Sequence, residues 1–184
     1  MSESEQNKLA IAEAMKALMR TMPIEKITTK EILEKAGVSR RSFYRYFKDK
    51  YDVMAYNYKL FVDRRADPAI SHSYEELLYR LYRDSERSMT YLRNAFQYVG
   101  VNSFTEYVYE YSFDIVERIT LDNRPEGLTE SERLQLDVFC HGVSDMFVNW
   151  ILGRYQLTPE EGAKALYGVM PPSLKHYWWK KKKG

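Results

Sequence analysis

The stretch Ser39–Tyr51 interleaves cationic, hydroxyl and aromatic side chains at a spacing typical of a helix. At about 3.6 residues per turn, Phe43 and Phe47 lie on one face and can anchor the helix in a core. Arg41 and Arg45 lie broadly opposite them. Arginine can reach base edges, and lysine and hydroxyl groups can hold phosphates, so the pattern favours a helix that enters a DNA groove. A solvated amphipathic helix is the alternative, because charged faces commonly point at water.

The preceding segment predicts a second helix packed against the first. Thr28 and Glu31 have the spacing of a capping box, so a helix should begin after Thr28. Gly37 stands where a helix ends on a left-handed residue, and Ser39 is placed to cap the next helix. A helix, a short glycine-containing turn and a helix that begins with arginines form a helix-turn-helix, whose second helix enters the major groove with its N-terminal end first.

Two further helices should flank this pair. The earlier one should stop at Pro23, and it carries one apolar stripe made of Ile11, Met15, Leu18, Met19 and Met22. After Phe47, Asp49 can cap a fourth helix that has Lys50 in its first turn. A helix N-terminus with a lysine is suited to clamp a phosphate, and this is the role we expect for Lys50.

The run from Ile11 to Met54 resembles the N-terminal domain of the TetR family of bacterial transcription regulators. The residues that carry the resemblance are Ile27-Thr28-Thr29, Ile32, Ala36-Gly37-Val38-Ser39, Phe43-Tyr44-Arg45-Tyr46-Phe47 and Lys50. The resemblance implies that the DNA backbone is contacted by Thr28, Thr29, Tyr44, Tyr46 and Lys50. It implies that base edges are approached by Arg40, Arg41, Ser42 and Arg45, while Val38, Phe43 and Phe47 belong to the core. Lys48, on the charged side of the same helix, is expected to join the DNA contacts.

Composition limits the classes to which the chain can belong. With 184 residues, of which 45% are hydrophobic, it can bury a substantial core in one or two domains. No apolar run approaches the roughly 20 residues that cross a bilayer, and the polar, acidic N-terminus does not look like a signal peptide. The single cysteine, Cys140, cannot form an internal disulfide. We therefore expect a cytoplasmic protein without membrane attachment.

The net charge of +2 is unevenly distributed along the chain. Residues 1–60 carry 12 Lys and Arg against 8 Asp and Glu, whereas residues 61–179 carry 12 against 18, and four lysines follow at 180–183. The acidic middle would be repelled by phosphates, which fits a regulatory domain placed away from DNA. The aromatic and basic tail Trp178–Lys183 could add attraction to DNA or to an anionic surface, but a frayed solvated tail is the simpler interpretation.

The rest of the chain also predicts helices. Capping pairs at Ser73 with Glu76 and at Thr129 with Glu132 begin two of them, and Thr158-Pro159 begins the last. With no convincing alternating strand pattern, we predict an all-α protein. It should comprise a three-helix helix-turn-helix DNA-binding domain at 1–52 and a larger helical regulatory and dimerisation domain at 53–184.

The helix predicted over 129–153 carries apolar residues on more than one face, as expected if it packs on its own core and on a partner. The run Phe139–Gly142, with Trp150 and Gly153, resembles the end of a TetR-like regulatory domain, where the last two long helices form a four-helix dimer interface. The predicted interface residues are Phe139, Val143, Phe147, Trp150 and Leu166. The alternative is that this helix is the buried centre of one domain. The spacing around Trp150 is similar to that of the dihydroxyacetone-kinase operon regulator subgroup.

Sixteen tyrosines suggest an aromatic cavity for an unknown small-molecule effector. The resemblance places four of them on pocket-lining helices: Tyr82, Tyr98, Tyr107 and Tyr111. Half-buried packing with solvated hydroxyls is the alternative for each tyrosine.

Enzymatic and metal functions have little support in the sequence. There is no glycine-rich phosphate loop, nucleophile elbow or His-Glu-x-x-His pattern, and Cys140-His141 has no second pair of ligands at a suitable spacing. We therefore predict no cofactor, no metal and no catalytic residue. The expected protein is a homodimeric transcription repressor that binds a pseudo-palindromic double-stranded DNA operator under effector control. The alternatives are a regulator of the same fold controlled by a protein partner and, more remotely, a helical enzyme.

Overall fold

The computed structural model describes residues 2–67, 70–98, 104–124 and 126–175, and within these ranges it contains helices and no strand. The predicted all-α class is confirmed. The helices are α1 (Glu3–Met19), α2 (Thr29–Ala36), α3 (Arg40–Tyr46), α4 (Lys50–Ala66), α5 (Tyr74–Ser85), α6 (Met89–Gln97), α7 (Phe104–Asn123), α8 (Glu130–Ile151), α9 (Pro159–Gly168) and α10 (Pro172–Lys175). Short 3₁₀ turns at Ile24–Lys26 and Glu86–Ser88, and the brief α10, were not predicted from the sequence. The tail Trp178–Lys183 lies outside the described residues.

Two compact units make up the chain, and each is discontinuous in sequence. Unit 1 comprises residues 1–61 and 88–104, and unit 2 comprises residues 62–87 and 105–184. Unit 1 thus includes α6, which follows the helix-turn-helix region by more than 30 residues. The predicted domain boundary after residue 52 stays a prediction.

Helices α2, α3 and α4 begin where the sequence indicated, whereas α1 ends at Met19, four residues before the predicted stop at Pro23. Thr28 and Glu31 form a reciprocal capping box at the start of α2, and Gly37 ends that helix with φ 66°. The Ser39 hydroxyl accepts a hydrogen bond from the Ser42 N–H (3.1 Å) and so caps α3. Asp49 Oδ1 accepts the N–H groups of Tyr51 and Asp52, which caps α4 as predicted. Hydroxyl and carboxylate caps replace the partners that the first amides of a helix lack.

The core of unit 1 lies under α3. Phe43 and Phe47 are 0% and 4% exposed, and their ring centroids are 5.9 Å apart. Other fully buried members of this core are Ile11, Met15, Met19, Ile24, Ile27, Ile32 and Met54. Burial of a large apolar side chain contributes about 1.5–3 kcal/mol, so the two phenylalanines fix which face of α3 points inward.

Capping also sets the helix starts of unit 2, with one departure from the prediction. Thr129 and Thr158 form complete capping boxes with the glutamates three residues later. The Ser73 hydroxyl caps α5, but Glu76 accepts the N–H of His72 (2.8 Å) and pairs with Arg80 (2.7 Å). In a complete capping box the N–H of Ser73 would donate to Glu76. Here the N–H of His72, the residue before the cap, donates to Glu76 instead, and Arg80 pairs with the same carboxylate.

An aromatic cluster fills the centre of unit 2. The ring of Tyr82 on α5 lies 5.4 Å from that of Phe147 and 4.7 Å from that of Trp150, both on α8. Helix α9 packs on α5 at Gly162, where a Cβ atom would lie 3.1 Å from the Tyr82 ring. A side chain at position 162 would therefore push into a ring that is itself enclosed. Among the described residues, no helix combines the length and apolar character needed to span a membrane.

Candidate nucleic-acid interface

The outer face of α3 presents the cations that the sequence pattern placed there. Arg40, Arg41 and Arg45 are exposed on α3, as is Tyr44, which is 49% exposed. Lys48, which was expected on the same helix, is exposed just after its end, because α3 stops at Tyr46. Because Phe43 and Phe47 hold the opposite side in the core, the face cannot rotate inward. The short α3 thus combines a fixed orientation with long, extended donors, as groove reading requires.

Interactions within α3 organise this face. The Arg40 guanidinium lies over the Tyr44 ring, 5.5 Å from its centroid, in a cation–π arrangement. Ser42 is half-buried, and its hydroxyl accepts a hydrogen bond from Ser39 Oγ (3.0 Å). Ser42 is therefore tied to the cap of its own helix, whereas the arginines extend outward.

Three residues that were predicted to contact the DNA backbone, Thr28, Thr29 and Tyr46, have different surroundings from one another. Thr28 is exposed, but its hydroxyl donates to Glu31 (2.7 Å) within the capping box. Thr29 is half-buried at the first position of α2. Tyr46 is half-buried beside α1, where the Lys8 ammonium lies 5.5 Å from the centroid of its ring, and a hydrogen bond with Ser4 lowers the pKa of its hydroxyl.

Lys50 lies in a different place from the one expected of a phosphate clamp. Its Nζ donates to three carbonyl oxygens, those of Ile24 (2.7 Å), Glu25 (3.1 Å) and Ile27 (2.8 Å). Burial lowers the pKa of this ammonium, although the nearby carboxylate of Glu25 acts in the opposite direction. An ammonium has three protons, and all three have partners inside the protein. The geometry thus assigns Lys50 to the support of the α1–α2 connection, which spacing alone could not reveal.

Known protein sequences match this N-terminal region. Residues 11–56 match the sequence model described as "Bacterial regulatory proteins, tetR family". A curated relative from Bacillus subtilis (strain 168), an uncharacterized HTH-type transcriptional regulator named YxbF, is 48% identical over 44 residues. That match covers 24% of this chain and only 12% of the relative. Residues 11–56 therefore carry a helix-turn-helix domain of the TetR type.

Solved structures extend the similarity to nearly the whole fold. The dihydroxyacetone kinase operon activator DhaS matches with a TM-score of 0.66 at 14% identity, over 92% of this chain and 97% of that protein. A TetR transcriptional regulator from Rhodococcus sp. RHA1 (TM-score 0.57, 18% identity) and the TetR family repressor AlkX from Dietzia sp. strain DQ12-45-1b (0.55, 16%) each match over 92% of this chain and 95% of their own. At these identities the similarity establishes a shared TetR-family fold.

The residues predicted at the dimer interface are buried within unit 2. Phe139, Val143, Phe147, Trp150 and Leu166 are each only 6–7% exposed. Phe139 packs on Tyr74, and the Trp150 indole N–H donates to the Leu157 carbonyl. These five side chains therefore belong to the core of unit 2, and a partner would have to meet a different face of α8.

That other face of α8 is apolar and exposed. Leu134 and Val138 are 63% and 67% exposed, and Gly142, one turn later, has open space around the position of a Cβ. Residues four apart lie on one helix face, so the three form a stripe. Beside it is a cavity of about 440 Å³ lined by Tyr109, Phe113, Glu130, Arg133, Leu134 and Asp137. In the sequence, Leu134, Val138 and Gly142 follow a different register from Phe139 and Val143, but the sequence alone does not indicate which register is buried.

The four tyrosines predicted to line an effector pocket do not form one cluster. Tyr82 is 2% exposed within the aromatic core of unit 2, and Tyr98 stacks on Tyr51 in unit 1 with centroids 4.8 Å apart. Tyr107 and Tyr111 do stack on each other on α7, at 5.8 Å, and the Tyr111 hydroxyl donates to Asp63. A pocket role for any of them stays a prediction.

Cys140 and His141 face different environments. Cys140 is buried, and this burial raises the pKa of its thiol to about 12. The His141 side chain is exposed and stacks on Tyr109 with centroids 3.6 Å apart. Within the described part of the chain, no three His, Cys, Asp or Glu residues are grouped so as to hold a metal ion.

Proposed function

We propose that the chain is a homodimeric, sequence-specific DNA-binding regulator of transcription in which α3 reads the major groove. One observation carries the proposal: three arginines on a short helix, and Lys48 just after it, are exposed, while two buried phenylalanines fix the opposite side, within a TetR-type helix-turn-helix. A rigid helix with long donors can place bidentate guanidinium groups against guanine edges.

The side chains of this domain would divide the work. Arg40, Arg41 and Arg45 are the proposed base-reading residues, with Ser42 beside them. Phosphate contacts are proposed for Lys48, Thr28, Thr29, Tyr44 and Tyr46. Lys48 is the simplest of these, because it is exposed next to α3 and its charge adds to binding irrespective of sequence.

Dimerisation is proposed through the exposed stripe of α8, defined by Leu134, Val138 and Gly142. Apolar side chains at 63% and 67% exposure gain from burial against a second copy, and a glycine between helices permits close approach of the two backbones. Pairing of two α3 helices would then create a reader of two related half-sites. The proposed binding partner of this dimer is a pseudo-palindromic DNA operator, and the proposed location of the protein is the cytoplasm.

Control by a small-molecule effector is a further proposal, supported by the stacked pair Tyr107 and Tyr111 on α7. Effector binding would act by favouring one arrangement of the dimer over another. A thermal-shift screen of apolar and aromatic metabolites tests this, since a ligand of the native state raises the melting temperature. Control by a protein partner is the alternative. Repression is proposed, and transcription from the operator with and without the protein would distinguish it from activation.

The test of the proposed function is selection from a pool of random-sequence duplexes. Wild-type protein should enrich a motif of two related half-sites, and its affinity for the selected duplex should exceed that for a random duplex by about a thousandfold or more. Equal affinity for both duplexes would contradict the proposal, whatever the absolute strength of binding.

A further inference from the structure

The connection between α1 and α2 is held by side chains from much later in the chain. This connection, residues 20–28, immediately precedes the first helix of the helix-turn-helix and ends at the cap residue Thr28. Its own backbone forms only a short 3₁₀ turn at Ile24–Lys26. The position of α2 relative to α1 therefore depends on the side chains that hold this segment, in addition to the direct packing of α2 on α1.

Asn94 on α6 makes three hydrogen bonds, one to the last residue of α1 and two to the first half of the connection. Its Oδ1 accepts the N–H of Ile24 (3.0 Å), and its Nδ2 donates to the carbonyl oxygens of Met19 (2.8 Å) and Met22 (2.6 Å). The carbonyl of Met19 ends α1 and has no partner within the helix, so the amide acts as a remote C-cap. Both functions of the amide, donor and acceptor, are used on one short segment.

Lys50 on α4 holds the second half through the carbonyl oxygens of Ile24, Glu25 and Ile27. Ile24 is thus bound from both sides, with its N–H on Asn94 and its carbonyl on Lys50. A hydrogen bond weakens steeply when donor and acceptor shift by a few tenths of an ångström or tilt. The segment is therefore fixed only as long as α4 and α6 keep their present positions.

The position of α6 in the chain links the hydrogen bonds of Asn94 to unit 2. Residues 88–104 belong to unit 1, but the segments on both sides of them, 62–87 and 105–184, belong to unit 2. Asn94 is therefore carried by a segment that is covalently continuous with the regulatory unit at both ends. At the end of α6, Tyr98 stacks on Tyr51 near the start of α4, which adds a second attachment.

We propose that Asn94 is a positioning residue for DNA reading, which acts through the α1–α2 connection to hold α2 and α3 in the orientation that matches the operator. The inference rests on the proposed DNA-binding function. It assigns α6 a direct hydrogen-bonded hold on the helix-turn-helix, so that any shift of α6 alters sequence preference before it alters folding.

The test compares Asn94→Ala with Asn123→Ala. The amide of Asn123 donates to the Ile119 carbonyl within its own helix (2.7 Å), so its loss removes a helical asparagine amide without touching unit 1. Affinity is measured for the duplex selected by wild-type protein and for a random duplex, at a temperature where each variant is folded by circular dichroism. Asn94→Ala should lose about tenfold in the ratio of the two affinities, equivalent to about 1.4 kcal/mol, while Asn123→Ala keeps the wild-type ratio.

Hydrogen exchange adds a readout of the grip itself, because the Ile24 N–H should exchange about tenfold faster in Asn94→Ala. If this variant does not fold, Asn94→Asp replaces it, since a carboxylate keeps the acceptor for Ile24 and loses both donors. An unchanged affinity ratio in the folded variant would overturn the inference and leave the proposed function standing. Absence of any preference in wild-type protein would instead contradict the proposed function.

Discussion

At the scale of single residues, two neighbouring lysines have opposite roles. Lys50 is enclosed by three carbonyl oxygens at 2.7–3.1 Å, whereas Lys48 is exposed beside α3. Both carry one charge, so sequence alone gives them the same expected role on phosphate. Their surroundings give them different roles, because an ammonium N–H that already donates a hydrogen bond to a carbonyl oxygen is not available to a DNA phosphate.

This difference predicts distinct effects for the two substitutions. Lys50→Ala should lower the free energy of unfolding by about 1.5–3 kcal/mol, the usual contribution of a hydrogen bond to a charged group, and leave the salt dependence of DNA binding unchanged. Lys48→Ala should leave stability unchanged and lower the slope of log K against log salt by about one. Denaturant unfolding and anisotropy titrations at several salt concentrations measure both quantities. If Lys50→Ala instead lowered the salt slope and left stability unchanged, Lys50 would be a phosphate contact, and the structural role given to it here would be contradicted.

At the scale of elements, α8 serves two surfaces at once. Its inner face places Phe147 and Trp150 on Tyr82, and its outer face exposes Leu134 and Val138. Apolar residues all around one helix indicate two contacts, but they do not indicate which residues belong to which contact. The neighbouring helices of the same unit determine which residues are buried, because Tyr82 on α5 covers only the register that includes Phe147 and Trp150.

The outer face can be tested by introducing charge. Leu134→Glu and Val138→Glu should shift the protein from dimer to monomer, with at least about a tenfold rise in the dimer dissociation constant, because a carboxylate at each site opposes burial. Helix content should not change, as both residues are largely exposed in the single chain. Ile70→Glu, at a site 40% exposed outside α8, is the matched control. Sedimentation equilibrium gives the masses, and an unaltered dimer in both α8 variants would place the interface elsewhere.

At the scale of the whole molecule, what could be predicted follows the range of the interactions. Capping at Thr28, Ser39 and Thr129 depends on residues three apart, so the sequence located those helix starts correctly. The inward side of α3 followed from the spacing of Phe43 and Phe47.

The features that escaped prediction depend on residues far apart in the chain. The hold of Asn94 on Met22 spans 72 residues, and the pocket tyrosines are divided between two units. No local pattern carries such information. The same limit applies to the division of the α8 faces, because burial of one register requires α5, whose Tyr82 lies 65 residues before its contact Phe147.

The central claim is that the outward face of α3 reads DNA sequence, and parallel selections with wild-type protein and Arg45→Ala test it most directly. Arg118→Ala, an exposed arginine on α7, is the control and should reproduce the wild-type motif. Wild-type protein should enrich two related half-sites, and Arg45→Ala should lose preference at the same base pair of each half-site, at a cost of about 1–3 kcal/mol there, while the remaining positions persist. Identical motifs from wild-type protein and Arg45→Ala, or no enriched motif at all, would contradict the account.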